Sequence, residues 1–182
     1  MLVTYCDAAV ASAVEYRHNL NRSLFSTGVN MGYFMRFFIV SAAKVQLSDI
    51  SEALVAVDPT YALVPDAQLD DFGELYISGQ RCAEIEINRP DDEIFIEEIA
   101  EYRALLQHTK APMGTDVSAM LNRTRAIITV EAFWKGNDPE PVLERIDPLW
   151  DWTFEKFEGL LHVDGDGFYD KDGLIFEMHV TI

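Results

Sequence analysis

The chain has few cysteines, few basic residues, no long apolar run and no recognisable catalytic punctuation, and each shortage removes a class of function. Cysteine occurs twice, at Cys6 and Cys82, too far apart in sequence for a metal-type pair. Two isolated thiols suit a reducing compartment better than a disulfide framework, so a cytoplasmic location is expected. Lysine and arginine number 14 against 31 acidic residues, a formal net charge of −17. Such a field repels phosphate backbones and anionic lipid, so neither nucleic acid nor a membrane is expected as partner, whereas a basic protein is attracted. No stretch nears the roughly 18 consecutive apolar residues that span a bilayer. The mildly apolar segment 1–13 has no basic n-region, unlike a signal peptide.

Catalytic signatures are equally sparse. GDG and DGDG lack the spacing of a phosphate or dinucleotide loop, and no Ser-His-Asp or Cys-His arrangement assembles. The run His162, Asp164, Asp166, Asp170 and Asp172 has the look of a calcium loop. With Gly167 at the sixth position, however, His162 and Gly173 fall where the first and last oxygen ligands are needed, so the pattern fails at both ends. A transition-metal set built on His162 and His179 fares no better, because the expected hairpin places Gly165, not His162, opposite His179. No catalytic residue, metal or cofactor is assigned.

What is present is a globular composition, 49% apolar with 12% aromatic residues, which excludes general disorder. Segment 1–30 has mostly alanine for an apolar face and reads as a peripheral arm. A single domain is expected over 31–182. Arg36–Val45 is a continuous apolar run, as in a strand covered on both faces. A helix follows over 46–58, with Ser48 as its cap and Asp58-Pro59 as its stop. Glu74–Ser78 and Cys82–Asn88 form a hairpin. In the next helix Ile94, Phe95, Ile99, Tyr102 and Leu105 or Leu106 make the apolar stripe, and Glu93, Glu97, Glu98 and Glu101 the solvent face. Ala126–Trp134 is a second strong strand. Asp138-Pro139 opens a helix that Pro148 must kink or divide, since proline removes an amide donor. Leu160–Asp170 and Leu174–Thr181 then flank a bulged turn at Gly173, with Phe168 opposite Phe176.

Aligning Asp58-Pro59 with Asp147-Pro148 sets Phe37 opposite Ala126, so both strong strands begin 21 residues before the aspartate. The simplest description is a tandem duplication of a strand–helix–hairpin (βαββ-like) unit, 35–90 and 125–182, joined by a helical linker 91–124. The expected fold is α+β, a mainly antiparallel sheet with helices packed on one face, ferredoxin-like in general character.

Two groups of residues stand out as surfaces for a ligand or partner. Glu131 lies within the second strong strand, and Glu84 and Glu86 on one side of theirs, so the three can meet across the sheet. Trp134, Trp150 and Trp152 concentrate with Tyr169 and several phenylalanines in the last third. Trp150 and Trp152 diverge by about 200° on a helix, so one of them must leave the core. These features point to a non-enzymatic protein-binding module, of the inhibitor or immunity type, acting on a basic partner. The alternative is a small-molecule or enzymatic site in a cleft between the repeats, around Glu131 and the tryptophans. Self-association as a homodimer is the third reading.

Overall fold

A computed structural model describes residues 33–42, 44–107 and 112–178. The expected arm lies outside those residues, as do His179 and the end of the last strand. Eight strands form one antiparallel sheet: β1 (Tyr33–Ile39), β2 (Tyr61–Pro65), β3 (Phe72–Ile77), β4 (Gln80–Asn88), β5 (Ala126–Ala132), β6 (Gly159–Val163), β7 (Gly167–Asp170) and β8 (Gly173–Glu177). Their order across the sheet is β2-β3-β4-β5-β1-β6-β7-β8. The helices are α1 (Leu47–Val57), α2 (Glu93–Gln107), α3 (Pro112–Leu121), the single turn α4 (Glu140–Leu143) and α5 (Asp147–Lys156).

The central pair β1 and β5 explains why the sheet has two cores. Successive side chains on a strand point to opposite faces. Met35, Phe37 and Ile39 enter one core with Ile128, Val130, Ile85 and Leu75, roofed by Ile50 and Leu54 of α1 and Leu149 and Trp150 of α5. Phe38 and Ile127 enter the other, with Leu160, Phe168 and Phe176, roofed by Phe95, Ile99 and Tyr102 of α2 and by Val117 and Leu121 of α3. Helices therefore cover both faces, and the expected one-face layout is corrected. Helices α2 and α3, within the expected helical linker 91–124, supply the second roof.

The strand order also departs from the expected duplication. Two repeats about a pseudo-two-fold axis would put equivalent strands of their meanders beside the centre. Instead α1 carries the chain from β1 to the far edge, and β2-β3-β4 returns inward until its last strand meets β5. Helices α4 and α5 carry it from β5 to β6, directly beside β1, and β6-β7-β8 runs outward. One meander enters the centre by its last strand and the other leaves by its first. The matching Asp-Pro pairs mark helix boundaries and not a shared topology. The succession of three strands after each crossover also differs from a ferredoxin-like β-α-β-β-α-β chain.

Local punctuation follows the residues closely. Asp58 ends α1, its amide bonded to Leu54 O at 3.0 Å and its carboxylate accepting Thr60 N–H at 2.8 Å. Pro148 divides the last helical stretch into α4 and α5. The β3–β4 turn is Ser78-Gly79, both at positive φ (52° and 77°), the type I′ geometry that matches strand twist. Cap chemistry at α1 shifts by two residues from Ser48: Gln46 N–H donates to Asp49 at 2.9 Å. DGDG forms a turn, as Asp166 N–H bonds Val163 O at 3.1 Å, so Leu160–Asp170 becomes two strands and the end of the chain a meander rather than a hairpin. Phe168 faces Phe176, in the expected register.

Candidate functional site

Among the described residues the helical roof on the second face is incomplete. None of the buried residues in that core comes from β2, β3 or β4. This half of the face displays Ala62 and Val64 in the open, with Phe72, Glu74, Tyr76, Glu84, Glu86 and Glu131 half-buried. Cross-strand register sets the carboxylates in a row: Glu74 opposite Glu84, Glu84 opposite Glu131, and Glu131 opposite Phe34. Glu86 lies one pleat further along, opposite Thr129, which in turn faces Arg36. Like charges directly opposite on a sheet are destabilising. Arg81 offsets part of this: it pairs with Glu74 at 2.8 Å and with Glu84, and stacks 4.8 Å from the Phe133 ring centre. Glu131 and Glu86 have no salt-bridge partner among the described residues. Partial burial and then the neighbouring Glu84 raise the Glu131 carboxyl above its ordinary value, against the pull of Arg81. The structure thus brings Glu84, Glu86 and Glu131 together.

At the border between the open and the roofed halves lies a polar network that sequence patterning does not single out. Arg36 Nε donates to Glu98 Oε1 at 2.6 Å, and its Nη1 to Asp164 Oδ1 at 2.8 Å. Glu98 belongs to α2 and turns inward, contrary to its expected place on the solvent face. Burial raises its carboxyl, with Arg36 holding it back, and its Oε2 is buried with no hydrogen-bond partner among the described residues. Beside this pair His162 is enclosed by Tyr102 and Phe168, its Nδ1 2.9 Å from the Tyr102 hydroxyl. A neutral imidazole shares one hydrogen bond with the phenol here, its direction set by the tautomer. Burial, and then Arg36, push His162 down to about 3. The hydroxyl of Tyr102 is held protonated, chiefly by burial. The network joins β1, α2, β6 and the turn after it, and sets one guanidinium between two carboxylates beside a neutral imidazole.

The aromatic residues do not form one surface. Trp150 is fully buried and Tyr169 is 2% exposed, both in the first core, which corrects their assignment to a ligand or partner surface. The reason is register: Tyr169 sits opposite Leu161, on the face roofed by α5. Its hydroxyl donates to Asp166 of the DGDG turn, while Asp164 of the same turn holds Arg36, so both carboxylates serve the fold. Trp134 is half-buried just after β5. Trp152 is the tryptophan that leaves the core. It lies edge-on to Phe157, 5.6 Å between ring centres, in a groove of about 930 Å³ between α1 and α5. This groove is on the opposite side of the sheet from Glu131. The cleft expected to unite Glu131 with the tryptophans is therefore not formed.

The β2 edge offers little to an added strand. In an antiparallel ladder alternate residues turn their backbone groups inward and outward. Ser78 N–H bonds Thr60 O and Asp66 N–H bonds Phe72 O, so Tyr61, Leu63 and Pro65 face outward. The Tyr61 amide is taken by Asp58 O and Pro65 has none, which leaves Leu63 as the one outward amide of β2 without a partner among the described residues.

The fold and these surfaces define an α+β protein on an eight-stranded antiparallel sheet with helices on both faces. No family model, curated protein or solved structure matches the chain. Among the described residues no helix is long and apolar enough to cross a membrane, and no cluster of His, Cys, Asp or Glu has metal-binding geometry.

Proposed function

We propose that this is a non-enzymatic binding protein whose ligand is a basic protein, held on the open half of the sheet. The carrying observation is the direct opposition of Glu84 and Glu131, beside Glu86, on the half-face that no helix of the described residues covers. That arrangement costs stability in the free protein, and a cationic side chain inserted among the three carboxylates relieves it. Phe34, Phe72, Tyr76 and Phe133 supply the apolar area that a charged patch alone lacks. The net charge of −17 adds long-range attraction and speeds encounter. In its concrete form the protein neutralises a basic enzyme, as an inhibitor or immunity-type protein.

The test immobilises the wild type and a Glu84→Gln/Glu86→Gln/Glu131→Gln variant and passes over each an extract of the native host, at about 50 mM and about 300 mM salt. The proposal expects a basic protein retained by the wild type at low salt and lost with the variant. Identical captures on both surfaces, or retention of acidic proteins alone, would sink it.

A further inference from the structure

The groove between α1 and α5 is a second concave surface, independent of the open sheet face and on the opposite side of the sheet. The two helices run antiparallel: α1 starts just beyond the end of β1, and α5 ends there, where Val40 N–H bonds Glu158 O at 2.9 Å. With 11 and 10 residues they present a trough about 15 Å long at 1.5 Å per residue. Its floor is apolar. On α1, Ala53 and Ala56 keep the wall low, and on the other side Trp152 and Phe157 line it. Trp152 is only partly covered although it is the largest side chain there. Both walls carry carboxylates, Asp49 and Glu52 on α1 and Asp151 and Glu155 on α5, and two lysines, Lys44 and Lys156, sit at one end.

We propose that this groove receives an amphipathic helix of a partner protein, apolar along one stripe and basic on its flanks. The length admits about ten residues, so three apolar anchors at i, i+3 or i+4, and i+7 fit between Ala53, Ala56 and Trp152. Acidic walls on both sides select lysine or arginine at the flanks, and the low alanine wall lets the incoming backbone approach. Tryptophan is among the residue types enriched where a few side chains carry most of an interface's binding energy. The lysine pair fixes polarity: the guest's C-terminal end, with its partial negative charge, lies at Lys44 and Lys156.

The experiment uses the full chain and a synthetic helix of about 14 residues made of leucine and lysine, with leucine on one stripe. Calorimetry with the wild type gives saturable binding at one site, and tryptophan emission shifts in the wild type but not in Trp152→Phe. Glu52→Lys/Glu155→Lys and Ala56→Trp, all at exposed positions, weaken binding about tenfold or more, while near-UV circular dichroism confirms their folding. Glu84→Gln/Glu131→Gln leaves it unchanged, so failure here is separable from failure of the open-face reading. A leucine–glutamate peptide that binds equally well overturns the proposal. So does binding lost only in the open-face variant. Sedimentation of the free protein as a dimer that Ala56→Trp splits would instead assign the groove to a second copy.

Discussion

His162 couples the network under α2 to pH, and the size of the effect can be worked from its surroundings. The ring is 5% exposed, edge-on to Tyr102 and tilted against Phe168, with Arg36 and Asp164 charged groups beside it and Glu98 bound to the same arginine. Its folded value is about 3 against an ordinary 6.5, burial being the larger cause and Arg36 the smaller. A depressed folded value means that the unfolded chain binds a proton the native state refuses. The stabilisation is therefore complete above pH 6.5 and is lost as pH falls from 6.5 toward 3. At about 1.4 kcal/mol per unit, the whole window is worth about 5 kcal/mol, and the step from pH 7 to pH 5 about 2 kcal/mol. Glutamine at this position can still exchange a hydrogen bond with the Tyr102 hydroxyl but does not titrate. Urea unfolding of wild type and His162→Gln, at pH 7, 6 and 5, isolates this residue, because the other three histidines contribute equally to both. The wild type should lose about 2 kcal/mol more than the variant between pH 7 and pH 5. Parallel pH dependences would refute the buried, neutral imidazole.

Further outcomes follow from the same contacts. Arg36→Met strands Glu98 in the core and should cost about 3–5 kcal/mol at pH 7, most of it recovered in Arg36→Met/Glu98→Met. Since burial raises Glu98, the charge it carries is the unstable form, so the penalty of Arg36→Met should shrink at pH 5; a constant penalty in chemical denaturation would contradict this. Gly167→Ala places a methyl group 2.0 Å from the Phe176 carbonyl oxygen and should cost about 1–3 kcal/mol or more. Gly165→Ala meets open space and bears only the strain of its positive φ, so its urea midpoint should fall less. Burial raises the Cys82 thiol to about 11. In a Cys6→Ser background, native protein should leave a disulfide reagent unreacted at about pH 8 and titrate one thiol after unfolding.

The strongest strands were legible because they are buried on both faces. Phe37-Phe38-Ile39 and Ile127-Ile128 have no polar alternation, and each neighbour feeds a different core. The same continuity already argued against helices on one face, since a strand apolar on both sides needs two roofs. Glu98 was misread through its residue class. It lies three positions from Phe95 and four from Tyr102, within the buried stripe, and spacing should have outweighed charge. Arg36, the charged residue at the head of an apolar run, was the other half of that signal. The tryptophan pair separated as helix geometry requires, Trp150 inward and Trp152 into the groove. Strand order was not legible, because the Asp-Pro pairs report where helices start and stop and carry no information about which strand sits beside which.

Docking of a basic protein on the acidic half-face has a kinetic signature. Its most direct measurement is the association rate of the captured partner with wild type and with Glu84→Gln/Glu86→Gln/Glu131→Gln, followed by stopped flow across ionic strength. Electrostatic docking at this face predicts a wild-type rate that falls at least about tenfold between about 50 mM and about 300 mM salt, and a variant that is slower and less salt-sensitive. A rate indifferent to salt and to the three substitutions would contradict it.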